Sequence, residues 1–144
     1  MKPKYTWDAE HGIATCTVYY KQHEFSGLAC CDDADRDMMN EKTGCFIAEM
    51  RAEIKLLKYV INEYTQEAKT LNHFHSIISQ SDSYDYGSYE SYMLRRQIRL
   101  AEGNRQVAKE ILENHQQALN QYIKDKDDFY KSVRAFREEK ANKS

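Results

Sequence analysis

Residues 47–78 read IAEMRAEIKLLKYVINEYTQEAKTLNHFHSII. Within them Ile47, Met50, Ile54, Leu57, Ile61, Tyr64, Ala68, Leu71, His75 and Ile78 recur at alternating steps of three and four. That is the spacing of a helix lying along another helix. No proline interrupts the run, and Gly44 stands at its start. The pattern predicts a helix over 43–79, on the order of 50 Å long at about 1.5 Å per residue. Such a helix cannot bury its stripe against itself. The second half of the chain repeats the alternation at Leu94, Ile98, Ala101, Arg105, Ala108, Leu112, His115, Leu119, Tyr122, Lys126, Phe129, Val133 and Phe136. A second helix is therefore expected over 88–140. The one break between them, Ser81 to Ser88 (SDSYDYGS), is short enough to force an antiparallel hairpin.

Pairing backward from that break sets Ile78 near Leu94, Leu71 near Ala101, Ile61 near Leu112 and Ile54 near Leu119. Met50 then falls near Tyr122 and Ile47 near Lys126. Phe129, Val133 and Phe136 overhang the first helix and need another surface, either the N-terminal sheet or a second subunit. Arg105, His115 and Lys126 lie on the seam, where unpartnered charge is costly. They are expected to snorkel, to set register or to line a pocket. His75 and His115 read as seam histidines rather than metal ligands.

Before the helices, residues 5–31 read as a small antiparallel sheet. Tyr5 to Trp7 is a short strand, followed by a turn over Asp8 to Gly12. Ile13 to Tyr20 alternates, with Ala14, Cys16, Val18 and Tyr20 on one face. A polar turn over Lys21 to Glu24 leads to a third strand, Phe25 to Cys31. Gly27 within it implies a bulge or the close approach of another backbone or a ligand. Asp33, Asp35 and Asp37 lack the glycine and closing glutamate of a calcium loop. They are expected to serve the free N–H groups at the start of the first helix, with Asn40 and Thr43 as further caps. The fold class is α+β: one domain over 1–144, a small sheet and then a long two-helix coiled-coil hairpin.

With 144 residues, 41% of them hydrophobic, and a mean hydropathy of −0.85, the chain has much wet surface for its core, which favours oligomerisation. A net charge of −2 gives no global attraction for nucleic acid or an anionic membrane. Any anion site must be local. Cys16, Cys30, Cys31 and Cys45 show neither CxxC spacing nor a disulfide framework, and are expected to be buried or half-buried thiols. No signal-peptide pattern and no run of transmembrane length is present, so a soluble cytoplasmic protein is expected.

Cations and aromatics gather in Phe129-Tyr130-Lys131-Ser132-Val133-Arg134-Ala135-Phe136-Arg137. Lys131, Arg134, Arg137 and Lys140 step by three along one flank. The hairpin brings this flank toward the start of the first helix, where Arg51 and Lys55 add charge. Guanidiniums, aromatic faces and a helix N-terminus suit a phosphate-bearing, base-bearing small molecule. Solvated helix-end cations favoured by the dipole are the plainer reading. No nucleophile elbow, phosphate loop, dinucleotide fingerprint or zinc-protease motif occurs, so no catalytic residue, metal or cofactor is assigned.

Taken together, Phe25-x-Gly27-x-Ala29, the acids Asp33, Asp35 and Asp37, Glu41-x-x-Gly44-x-x-Ile47-Ala48-x-x-Arg51-Ala52-x-Ile54-Lys55, and Phe129-Tyr130-x-x-Val133-Arg134-Ala135-x-Arg137 resemble a family of small phage proteins. This is the first described type of anti-Thoeris sponge. Cys30-Cys31, Asp32 and Ala34 depart from its pattern. The resemblance implies an N-terminal sheet followed by two long helices, assembling into dimers or larger homo-oligomers. It also implies sequestration, without cleavage, of cyclic ADP-ribose isomers, and in some members of cyclic oligonucleotides, in the host cytoplasm. On that reading Arg134 and Arg137 take the pyrophosphate and Tyr130 or Phe136 stacks on the base. Lys131 adds charge, and Arg51 with Lys55 closes the pocket or serves a second anion. Two rivals stand beside it: a coiled-coil adaptor acting through protein contacts, and a small nucleic-acid-binding module.

Overall fold

The computed structural model describes residues 1–81 and 84–143, with the backbone alone at Ala34. Residues 82 and 83 of the interhelical break, and residue 144, lie outside the described residues. The order is β1 (Lys4–Asp8), β2 (Ile13–Tyr20), β3 (His23–Cys30), a 3-10 turn (Asp33–Asp35), α1 (Glu41–Ser79) and α2 (Tyr89–Asn142). The protein is α+β, a small three-stranded antiparallel sheet followed by two long helices that pack together. Two compact units are distinguished: Met1–Leu56 with Asn114–Ser144, and Leu57–Glu113.

In the first unit β2 is the central strand, paired with β1 from Lys4↔Thr17 to Asp8↔Ile13 and with β3 from Ile13↔Cys30 to Tyr20↔His23. The period-2 pattern of β2 holds: Ala14, Cys16 and Val18 are buried and form the core with Ala29, Met39, Ile47, Ala48, Ala52 and Leu119. Ala48 and Ala52, one turn apart on α1, are fully buried. They let the α1 backbone lie directly on β3. A Cβ on Gly27 would come within 2.0 Å of the Ala48 carbonyl oxygen and 2.5 Å of the Ala52 nitrogen. Of the expectations for Gly27, the close approach of another backbone is the one realised, and the unbroken β2–β3 register leaves no bulge there.

The first turn of α1 is capped by Asn40, whose side-chain oxygen accepts from the Thr43 N–H at 2.8 Å. Asp33, Asp35 and Asp37 do not cap it. Their carboxylates turn instead to arginines, as described below. At the β1–β2 turn the His11 ring nitrogen bonds the Asp8 carboxylate at 2.7 Å and the His11 N–H donates to it at 3.2 Å. The side-chain bond, then the backbone bond, holds the Asp8 carboxyl below its usual range. Glu10 completes an exposed group with these two whose ligand atoms lie within 4.8 Å of one another. The bonds that close the turn account for that clustering.

Every member of the α1 stripe is buried or half-buried. The α2 stripe keeps to its expected positions as far as Lys126; beyond it Val133 is still half-buried but Phe129 and Phe136 are not. Tyr130 is buried, while Phe129 and Phe136 are 61% and 64% exposed. From Leu119 the covered positions run Tyr122, Lys126 and Tyr130, then Val133 together with Arg134, a drift toward the 3.6-residue period of a straight helix. Tyr122 stacks on Phe46, with centroids 4.6 Å apart, one turn before the expected Met50. His115 reaches Glu53 at 2.9 Å, and Lys126 bonds Asp127 at 3.1 Å while lying over the Tyr130 ring. His115 and Lys126 thus have partners in place on the seam.

In the second unit Ala68, Ile98, Ala101 and Ala108 are buried where the helices meet. Ile78 and Leu94 share one groove, as expected. Ser88 caps α2 by accepting from the Ser91 N–H at 3.1 Å. The Tyr84 hydroxyl bonds Ser91 at 2.5 Å and the His75 ring at 3.2 Å. His75 is a bonded seam residue.

The thiols divide by burial. Cys16 is fully buried, and burial pushes its thiol up to about 11. Burial also raises Cys31 and Cys45. Cys30 departs from expectation and is exposed at the end of β3. A raised thiol holds its proton and reacts slowly. At pH 8 an aromatic disulfide reagent is expected to modify one thiol in a fast phase, and Cys30→Ser should abolish that phase. Two or more fast thiols would show that the end of the sheet is not closed as described.

Candidate functional site

The residues expected to bind a ligand all lie in the first unit but in separate groups, and Arg51, Lys55, Arg134 and Arg137 each bond a protein acceptor. Arg51 and Lys55 leave α1 and reach around the edge of β3. The Arg51 Nη1 donates to the Leu28 carbonyl at 2.7 Å, and the Lys55 Nζ donates to the Ser26 carbonyl at 2.6 Å. They cap the free acceptors of an edge strand, and both side chains remain exposed.

At the other end of the unit, the last turns of α2 pass the segment between the sheet and α1. Arg134 Nη1 donates to the Asp35 carboxylate at 2.9 Å, and Arg137 Nη1 donates to Asp37 at 2.7 Å. The Tyr130 hydroxyl points at the Met38 carbonyl at 3.5 Å. Three contacts thus tie this end of α2 to Asp35, Asp37 and Met38 of its own chain. Burial raises the Tyr130 phenol above the usual range. Asp35 is 8% exposed, so a charged partner is required there. Arg36 closes the segment with an ion pair to Asp33 and a bond to the Glu10 carbonyl at 3.3 Å.

The Arg134–Asp35 pair lines a small cleft of ≈ 220 Å³ with Asp32, Asp127 and Lys131. Three carboxylates face two cations there, so the cleft is not by itself an anion site. Phe136 stands exposed in a separate cleft with Glu139, Lys140 and Lys143. Of the two aromatics expected to stack on a base, Phe136 is open and Tyr130 is covered. Phe129, absent from the expected set, is as open as Phe136.

No family model, curated protein or solved structure matches the chain. The site is read from its own chemistry. Arg134 and Arg137 each spend one terminal nitrogen on an acid, leaving donors of the five-donor fork for an added group. Their acids fix the direction of the guanidiniums, which is preorganisation, but also oppose an incoming anion. The sequence reading missed Asp35 and Asp37 as partners of these arginines. The signal was present as acids at every second position and cations at every third, but nothing local joins residues so far apart in the chain. No described helix is long and apolar enough to cross a membrane.

Proposed function

We propose that this protein is a non-catalytic binding protein of the host cytoplasm, made by a phage, that sequesters a cyclic nucleotide immune signal. It works as a homo-oligomer built on its helical hairpin. The ligand is a cyclic ADP-ribose isomer or a cyclic oligonucleotide, held intact so that the Thoeris effector stays silent. The observation that carries this reading is the end of α2, where Asp35 and Asp37 orient Arg134 and Arg137 and the same stretch of helix also carries the exposed ring of Phe136. Guanidinium forks and an open aromatic ring on one helix end are the group types that a pyrophosphate joined to a base calls for. Lys131 and Lys140 supply further charge, and a second subunit would supply the remaining wall.

The test is thermal melting with a panel of cyclic ADP-ribose isomers and cyclic oligonucleotides. A ligand at a hundred times its dissociation constant stabilises by about 2.7 kcal/mol, a shift of several degrees. One member of the panel is expected to give that shift and to be recovered intact after heating. Phe136→Ala with Arg137→Ala should remove the shift while leaving the unliganded melting point in place, because both side chains are largely exposed. Absence of a shift across the panel would sink the proposal.

A second reading, an adaptor acting through protein contacts, is favoured by the pairing of both arginines with acids and by the exposed rings of Phe129 and Phe136. It predicts no ligand shift and a stable complex with a protein partner.

A further inference from the structure

The three-stranded sheet has two free edges, and they are treated differently. On β3, Arg51 and Lys55 cap the outward carbonyls of Leu28 and Ser26. Charged side chains laid on an edge are a common defence against pairing with another chain. The opposite edge is β1. The bond from the Cys31 N–H to the Gly12 carbonyl, 3.1 Å, extends the pairs Ala14↔Ala29, Cys16↔Gly27 and Val18↔Phe25. Residues 14, 16 and 18 therefore turn their backbone groups toward β3, and 13, 15 and 17 turn theirs toward β1. Those three meet Asp8, Thr6 and Lys4. The N–H and C=O groups of Tyr5 and Trp7 are left pointing off the sheet.

We propose that this edge pairs with β1 of a second copy of the chain, antiparallel and centred on Thr6. The strand Lys4-Tyr5-Thr6-Trp7-Asp8 is complementary to itself in that register. Lys4 lies opposite the partner's Asp8, and Asp8 lies opposite the partner's Lys4. Tyr5 lies opposite the partner's Trp7, and Trp7 opposite the partner's Tyr5. These aromatic positions carry the outward backbone groups, so each pair exchanges two N–H···O bonds, four in all. A slip of one residue would set outward groups against inward ones and form no ladder. A slip of two breaks the Lys–Asp pairs, and in one direction it places Pro3, which has no N–H, in the ladder.

Aromatic and opposite-charge pairs across strands are the contacts that stabilise a sheet. Trp7 is half-buried on the face covered by α1, and Tyr5 is 48% exposed beside an open cleft of ≈ 550 Å³ lined by Tyr5, Asn40, Glu41, Lys42 and Cys45. That cleft leaves room for the side chains of the incoming strand. The dimer deepens the oligomeric part of the function proposed above and does not depend on its ligand.

Thr6 falls on the two-fold axis as a non-hydrogen-bonded pair, whose Cα atoms approach to about 4.5 Å, within disulfide reach. The full chain carrying Thr6→Cys and Cys30→Ser is expected to become a covalent dimer under mild oxidation and to revert with reductant. Ser26→Cys in the same background, on the guarded edge, should stay uncross-linked. Thr6→Cys cross-linking no faster than Ser26→Cys would overturn the pairing. Tyr5→Pro removes an N–H that the chain's own sheet does not use. It is expected to halve the sedimenting mass while keeping the helical circular dichroism. A folded Tyr5→Pro protein of unchanged mass overturns the interface, and if that variant fails to fold the cross-link decides. A ligand melting shift in a protein that does not cross-link at Thr6 retains the ligand reading and discards this one. Cross-linking without any ligand shift does the reverse.

Discussion

Gly27→Val should unfold the first unit well below the melting temperature of the parent. A Cβ at this position would overlap the Ala48 carbonyl oxygen at 2.0 Å and the Ala52 nitrogen at 2.5 Å. Both are helix backbone atoms and cannot rotate aside. The strand and α1 must separate, and the core of Ala14, Cys16, Ala29, Ile47, Ala48 and Ala52 opens with them. Overpacking typically costs 1–3 kcal/mol and more where nothing can yield. About 3 kcal/mol or more is expected here, a fall of roughly 10 °C for a chain of this size. Strand propensity alone predicts the opposite sign, since valine favours strands and glycine weakens them. A thermal melt of Gly27→Val beside Leu28→Val, at the neighbouring exposed position, separates the two effects. An unchanged or higher melting point for Gly27→Val would mean that α1 does not lie on β3.

Arg134→Ala should lower stability where Arg137→Ala does not. Both arginines pair with a carboxylate at similar distance, but Asp35 is 8% exposed while Asp37 and Arg137 are each more than half exposed. Exposed pairs contribute about 0–1 kcal/mol. Removing Arg134 strands a buried carboxylate, which costs 3–5 kcal/mol in a fully buried pair. Because the Arg134 side chain is 39% exposed, solvent screens part of that. About 1–3 kcal/mol is expected, and several degrees of melting temperature. Asp35→Asn combined with Arg134→Ala should recover part of the loss, because no charge is then stranded. Equal melting points for the two arginine variants would show that Asp35 reaches water. On sequence alone both arginines look like free surface cations whose loss leaves folding untouched. Ligand measurements are therefore better made on Arg137→Ala than on Arg134→Ala.

The sequence by itself determined the elements. Period 2 in residues 13–20, the three–four alternation from Ile47 to Ile78, and the single break at 81–88 set three strands and two helices, with boundaries within a few residues of those observed. These signals are local, because one backbone geometry repeats over each stretch. The contrast at the end of α2 shows where local reasoning stops. A heptad continued past Lys126 selects Phe129, Val133 and Phe136; the structure keeps Val133 half-buried, leaves both rings exposed, buries Tyr130 and pairs Arg134 and Arg137 with acids. There the helix has left its helical partner, keeps its own 3.6-residue period, and meets a turn whose acids need counter-charges.

Tertiary structure alone decided which cations are spent and on what. Arg51 and Lys55 guard an edge, and Arg134 and Arg137 answer two aspartates about a hundred residues away in the chain. A charged side chain looks the same in the sequence whether it faces water, a carbonyl or a buried carboxylate. Its role is set by what the folded chain brings within about 3 Å of it, and no spacing rule carries that information across so long a separation.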